Sequence, residues 1–354
     1  MGRVTRVNGP LVEIDGLAGV AMSEMVELGP LRIPGELVAI ASGTATAQAY
    51  EYTGGLAPGD AALALGAPLS AALGPALLGG VFDGLLRPLL GAGTWLMPGV
   101  GAPPDERVWD FRPEVTVGDD VRVGDCIGLV RGDGPLELRV MVPGRSGGRV
   151  EQVSPAAEYG AHDTLAVVSG APLAMTERWP VRVPRPHRGR IDGGEPLVTG
   201  QRVLDLLYPV ALGSTAAVPG GFGTGKTVLL QQVAKWCTAD VIVYVGCGER
   251  GNEMADVVAE LADLVDPRTG GRLAQRTIVI ANTSNMPMMA REASVYTGLT
   301  VAEYFRDMGL HAVVIADSTS RWAEALREFA SRSGALPISI NRKLNWRRHQ
   351  VNLK

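Results

Sequence analysis

Gly220, Gly221, Phe222, Gly223, Thr224, Gly225, Lys226 and Thr227 fill every fixed position of the pattern G-x-x-x-x-G-K-[ST]. A turn this rich in glycine lets successive backbone N–H groups wrap an anion. A helix starting at Lys226 aims its positive end at the same anion. In that arrangement Lys226 reaches the β- and γ-phosphates of a nucleotide, the Thr227 hydroxyl ligates magnesium, and Val228 opens the helix. The competing reading is a chance turn, since the chain carries 46 glycines. Against it stands the context: residues 216–219 read as the strand the motif requires, and Val228-Leu229-Leu230 as the start of its helix.

Phosphate chemistry needs a second magnesium-side acid at the end of an apolar strand. Val313-Val314-Ile315-Ala316-Asp317 has that form. Asp317 could instead cap the helix that begins near Arg321, although Ser318, Thr319 or Ser320 could do that as well. Hydrolysis also needs a group that orients water. Residues 241–248 form an apolar run that ends in Glu249 and Arg250, at the edge where an open α/β sheet holds its ligand. Glu249 could accept a hydrogen bond from the attacking water, with Arg250 on phosphate or holding Glu249. On spacing alone, an ordinary surface ion pair fits these two residues nearly as well.

The elements around these residues change character along the chain. Short runs at 2–7, 11–14, 20–28, 35–40 and 44–50, punctuated by Asn8-Gly9-Pro10 and Pro58-Gly59-Asp60, predict a small β-barrel. A second β-rich unit follows, with strands near 121–130, 136–142, 148–153 and 164–168. An Ala/Gly/Leu stretch separates the two units, with a helix expected near 84–90. After the linker at 179–186, apolar strand runs at 241–245, 277–281 and 311–316 alternate with helical patterns at 227–237, 253–264 and 288–306. Strands buried on both faces and separated by helices predict a parallel α/β sheet.

Composition excludes other classes. The chain has 354 residues, 46% apolar and 20% charged, too apolar for a disordered polymer. Glycine and proline make up about a fifth of it, which argues against coiled coils and helical solenoids. A formal charge of −4 gives no general basic field for nucleic acid. Three scattered cysteines show no CxxC spacing, so neither a disulfide framework nor a zinc site is indicated, and a reducing cytoplasm fits best. The 22 uncharged residues 61–82 approach the length of a membrane span, but Gly66, Pro68, Gly74, Pro75, Gly79 and Gly80 would break a helix there. No signal peptide is evident.

Several long blocks resemble one family. They are Gly-Gly-Phe-Gly-Thr-Gly-Lys-Thr-Val from 220, Val-Gly-Cys-Gly-Glu-Arg-Gly-Asn-Glu-Met from 245 and Ala-Asn-Thr-Ser-Asn-Met-Pro from 281. Ala-Arg-Glu-Ala-Ser-Val-Tyr-Thr-Gly from 290 and Ala-Asp-Ser-Thr-Ser-Arg-Trp-Ala-Glu-Ala-Leu-Arg-Glu from 316 continue the series, with shorter matches at 178–182 and 196–202. Together they resemble the catalytic A subunit of V/A-type rotary ATPases over residues 3–337.

The resemblance implies a multidomain fold: an N-terminal β-barrel over 1–68, a connecting segment over 69–109 and an inserted β-rich bulge domain over 110–177. A RecA-like P-loop α/β domain with a mainly parallel sheet follows over 178–337, incomplete at its C-terminal side, then an atypical basic tail over 338–354. It also implies Mg2+ with ATP or ADP, phosphate and metal contacts at Lys226 and Thr227, and water activation by Glu249. Arg250 matches a phosphate-contacting arginine, Asp317 the strand-end aspartate that holds Mg2+ directly or through water, and Arg321 an arginine of structural or phosphate-linked role.

Implied partners are B subunits in an alternating hexamer with an arginine finger supplied in trans, central stalk subunits, and a membrane ion-translocating sector on other chains. No nucleic-acid partner is implied. The place would be peripheral, at the cytoplasmic face of a membrane. Gly221 departs from the family, which often has proline there. Beyond Pro337 the family's further strands and helical domain are not matched, so the chain reads as a truncated form of that catalytic chain. Arg342, Lys343, Arg347, Arg348 and Lys354 give the tail five positive charges and no acid; a short solvated run or an out-of-frame terminus accounts for it. Two other functions compete: a nucleotide-binding fragment without turnover, and another RecA-like hexameric ATPase of helicase or secretion type, which the inserted domain disfavours.

Overall fold

A computed structural model describes residues 1–41, 43–91, 106–144, 147–187, 189, 194–221 and 223–332. The basic tail and Phe222 lie outside the described residues.

Six strands, Gly2–Asn8, Leu11–Asp15, Glu24–Leu28, Ile33–Ala41, Thr44–Ala49 and Ala61–Pro68, close into a barrel. Alternation along the strands points Val4, Val12, Ile14, Val26, Leu28, Leu37 and Ala47 inward, where each is at most 1% exposed. The uncharged run thus begins with a barrel strand and contains no α-helix, only a single 3-10 turn at Pro75–Leu77. Among the described residues no helix is long and apolar enough to cross a membrane.

The second β-rich unit is built from two four-stranded antiparallel sheets. One orders Glu137–Met141, Cys126–Arg131, Val108–Pro113 and Ala157–Gly160; the other orders Asp120–Val121, Gly148–Val153, Ala166–Val168 and Ala171–Leu173. The run at 121–130 is two strands, because the chain turns at Gly124, where φ is 83°.

The nucleotide-domain sheet is parallel, in the order Ala312–Asp317, Val241–Glu249, Thr277–Thr283, Val81–Phe82. Val241 to Gly248 are buried throughout. The helices Lys226–Trp236, Gly251–Asp263, Met288–Asp307 and Thr319–Arg332 accompany it. Gly298 lets the Met288–Asp307 helix lie against the sheet, since a Cβ there would stand 2.5 Å from Val245 Cγ2.

Two expectations fail. The helix near 84–90 is absent: Asp83 to Leu86 form a turn with Leu86 at φ 63°, and Phe82 bridges Pro88. Asp83 fixes that turn by accepting the Leu85 and Arg87 N–H groups, so backbone donors that a helix would need are already engaged. Residues 216–219 also form no strand and are exposed. Such a short run ending in Pro219, which has no N–H, offers too few ladder donors to pair alone.

One buried ion pair governs entry into the Thr277–Thr283 strand. Arg276 Nε donates to Asp266 Oδ2 at 2.8 Å, and Arg276 Nη1 donates to the Ala239 carbonyl at 2.7 Å. Asp266 is 0% and Arg276 2% exposed. Burial alone would raise the Asp266 carboxyl, but hydrogen bonds from Arg276, the Arg268 N–H and Thr269 overrule it and hold it below its ordinary value. Asp266→Asn should therefore cost about 1.5–3 kcal/mol in urea unfolding at neutral pH. The contribution of a depressed carboxylate is present above its unfolded value near pH 3.9 and is lost as pH falls through the folded one. The parent's advantage should narrow in acid, and a deficit constant from pH 7 to pH 3 would refute the assignment.

Candidate functional site

The phosphate loop ends where Gly225 takes φ 82° and the Lys226–Trp236 helix begins. Gly223 is also left-handed, at φ 76°, a backbone that side chains resist. Cβ atoms placed on Gly221, Gly223 or Gly225 would meet nothing within 4 Å, so one side of the loop is open. No side chain caps the helix, which leaves its first N–H groups for an outside acceptor. Lys226 Nζ donates to the carbonyls of Gly220, at 2.9 Å, and Gly221. Thr224 Oγ1 donates to the Gly221 carbonyl at 2.9 Å. Val228 is 60% exposed on the first turn. Open glycines, uncapped N–H groups and an ammonium held by neutral carbonyls together suit a phosphate.

Glu249 and Asp317 stand at the C-terminal ends of neighbouring parallel strands, with Gly246 opposite Asp317 in the register. The Val241–Glu249 strand bulges between Cys247 and Glu249, and Gly248 there has φ 75°. A side chain at Gly248 would meet Arg291 Cδ at 2.9 Å and Arg321 Cβ at 3.2 Å. Glycine is therefore required at the bulge that precedes Glu249, which is still paired with Thr283 at the strand end. Arg321, on the first turn of Thr319–Arg332, pairs through Nε with Glu249 Oε1 at 3.2 Å. Burial pushes the Glu249 carboxyl up; Arg321 opposes this and the Asp317 carboxylate adds to it.

Asp317 is 5% exposed and accepts the Tyr244 hydroxyl at 3.0 Å. Arg250 is the N-cap residue of Gly251–Asp263 and pairs with Glu253 at 3.8 Å. The phosphate-loop helix packs beside the Asp317 strand through Ala234, Leu230, Val233, Val313 and Ile315. Among the described contacts, none joins Lys226 or Thr227 to Asp317 or Glu249.

For a metal, Thr227 and Asp317 offer hard oxygen donors of the type magnesium accepts. Among the described residues no three His, Cys, Asp or Glu side chains converge on a metal position. A cation here would thus share its shell with phosphate oxygens and water. Sequence reasoning gives no role to Arg291, whose Nη2 donates to the Ser284 carbonyl at 2.9 Å beside Gly248. An arginine one turn into a helix that follows a buried strand is the signal that could have found it.

Comparison with known proteins now bears on this geometry. Residues 200–340 match the profile of the ATP synthase alpha/beta family nucleotide-binding domain, 102–182 that of the ATP synthase alpha/beta subunit barrel-sandwich domain, and 4–66 that of the alpha/beta family β-barrel domain. The chain belongs to the ATP synthase alpha/beta family. Within the family it is 52% identical over 342 residues to the V-type ATP synthase alpha chain of Anaeromyxobacter dehalogenans strain 2CP-C. It is 47% identical over 347 residues to the A subunit of the A-type ATP synthase of Metallosphaera sedula. Both matches cover 95% of this chain and 59% of the relative, so the chain spans about three fifths of the length of these relatives. Among solved structures, the assembled EscN ATPase of the enteropathogenic E. coli type III secretion system superposes with a TM-score of 0.60. That match has 22% identity and covers 94% of this chain and 60% of EscN. At that identity the likeness concerns the fold alone.

Proposed function

We propose that this chain is the catalytic, nucleotide-binding A subunit of a V/A-type rotary ATPase, coupling ATP hydrolysis or synthesis to proton or sodium movement through a membrane sector on other chains. The observation that carries the reading is the pair Glu249 and Asp317 at adjacent strand ends, on the sheet that the open phosphate loop and its uncapped helix accompany. In this reading the loop N–H groups and Lys226 hold the β- and γ-phosphates of ATP or ADP, and Thr227 and Asp317 hold Mg2+, Asp317 directly or through water. When bound, Mg2+ neutralises charge on the phosphate oxygens. Glu249 accepts the proton of the attacking water, and Arg321 keeps that carboxylate aimed. Arg250 sits at the helix start for phosphate or structural duty.

The chain would alternate with B subunits in a hexamer, meet central stalk subunits, and work at the cytoplasmic face of a membrane. A second reading is nucleotide binding without turnover, by a chain that spans about three fifths of the length of its relatives. Calorimetry with Mg-ATP followed by phosphate release, on the chain alone and mixed with B-type subunits, tests both. Binding to one site per chain is expected, with turnover dependent on the partner. Failure to bind Mg-ATP would refute both readings; binding with no turnover in the mixture would leave the second.

A further inference from the structure

Tyr244 is wholly buried, at 0% exposure, in the middle of the strand that ends in Glu249. A phenolic hydroxyl removed from water needs a partner, and here it has one in Asp317 Oδ2 at 3.0 Å. The strand register explains why this contact forms. Tyr244 pairs with Ile315, and Asp317 lies two residues further along, on the same face. That diagonal is too long for a short side chain but within reach of an aromatic one. Opposite Asp317 stands Gly246, and the space a Cβ would fill there is taken by Met254, whose Sδ would be 2.2 Å away. The position across from Asp317 is thus covered by an apolar side chain, and the carboxylate has a hydroxyl donor at one of its two oxygens.

The charge arrangement makes a neutral donor significant. Arg321, the neighbouring cation, pairs with Glu249. A cation on Asp317 would cancel the charge a divalent metal seeks. A hydroxyl instead fixes the carboxylate's rotation and occupies Oδ2 while the negative charge remains, and among the described contacts none engages Oδ1. Phenylalanine would satisfy the apolar packing equally well, so the hydroxyl is the part of this side chain that packing does not explain.

We propose that Tyr244 is a positioning residue that holds the Asp317 carboxylate in the orientation in which its other oxygen serves magnesium, an inference that rests on the nucleotide reading above. The test is titration of the 354-residue chain with a fluorescent ADP analogue, first in EDTA and then at increasing Mg2+. In the parent, Mg2+ should strengthen binding. Tyr244→Phe should bind the analogue in EDTA within about twofold of the parent. It should need roughly 10–100-fold more Mg2+ for half of the strengthening, the scale of a lost partner to a metal-ligating group.

Tyr244→Met, which also lacks the hydroxyl and adapts to the same core, should reproduce the shift. In an Asp317→Asn background, Tyr244→Phe should change nothing further. A Mg2+ curve for Tyr244→Phe that overlays the parent's would overturn the proposal, as would equal weakening with and without Mg2+, which marks a merely structural role. If the parent itself shows no response to Mg2+, the metal reading fails and takes this inference with it, a result distinct from a normal parent and an unchanged variant.

Discussion

Lys226→Ala should weaken Mg-ATP binding at least about 10²-fold, the scale of removing one partner from a desolvated charge pair. The ammonium is already gathered into the loop by the carbonyls of Gly220 and Gly221. Those are neutral acceptors, which a charged phosphate oxygen would displace in a shorter and stronger bond. What the alanine variant keeps is the row of backbone N–H groups and the uncapped helix end, a weaker source of attraction that acts within a single turn. The loop's shape should survive, because the left-handed backbone at Gly223 and Gly225 is a property of those glycines and not of the lysine. Calorimetry on parent and variant at one ionic strength reads the result. Equal affinities would remove the phosphate assignment from this loop.

Glu249→Gln should leave Mg-ATP affinity close to the parent's and lower turnover by about 10²–10⁴-fold in the proposed assembly with B-type subunits, the range of a lost general base. Glutamine keeps the length and one acceptor oxygen of the side chain, so the bend at Gly248 and the placement beside Arg321 persist. It cannot take a proton. Burial, which pushes the parent carboxyl above its ordinary value, makes it a stronger base at the cost of an earlier loss of activity in acid. As pH falls through that raised value the base form disappears and the rate falls with it. The residual activity of the glutamine variant should lack that fall. Parent-like turnover would reduce Glu249 to an ion-pair partner of Arg321.

Local chemistry makes part of this legible in the sequence itself. The phosphate-loop spacing locates Gly225 and the start of its helix to the residue, because only glycine tolerates the backbone there. Continuous apolar runs mark the three longer parallel strands; burial on both faces leaves no alternation in Val241–Glu249 and Thr277–Thr283, while Ala312–Asp317, at the end of the described sheet, is only partly buried. What escapes depends on partners distant in sequence. The two-residue strand Val81–Phe82 carries too short a pattern to register, and its identity comes from pairing with Val279 and Ile280. The Tyr244 contact with Asp317 follows from a register that joins residues 73 apart in the chain. Residues 216–219 show the reverse error, in which a motif's usual neighbour is expected from context that the backbone does not bear out. Glu249 is visible as a carboxylate at the end of a strand, but its pairing with Arg321 requires the fold.

The contribution of Val81–Phe82 to the parallel sheet has a bearing on how the molecule is made. At roughly 5–20 residues per second, a ribosome needs on the order of 10–40 s to travel from Phe82 to the strand that pairs with it. Throughout that interval the barrel can close, because its strands are contiguous in sequence, while the short strand beyond it has no ladder to join. Among the described residues, the strand at this edge comes from upstream of the sandwich and not from downstream of it. That strand is an early-synthesised one, waiting in the nascent chain, and the order of translation separates barrel closure from completion of that sheet edge.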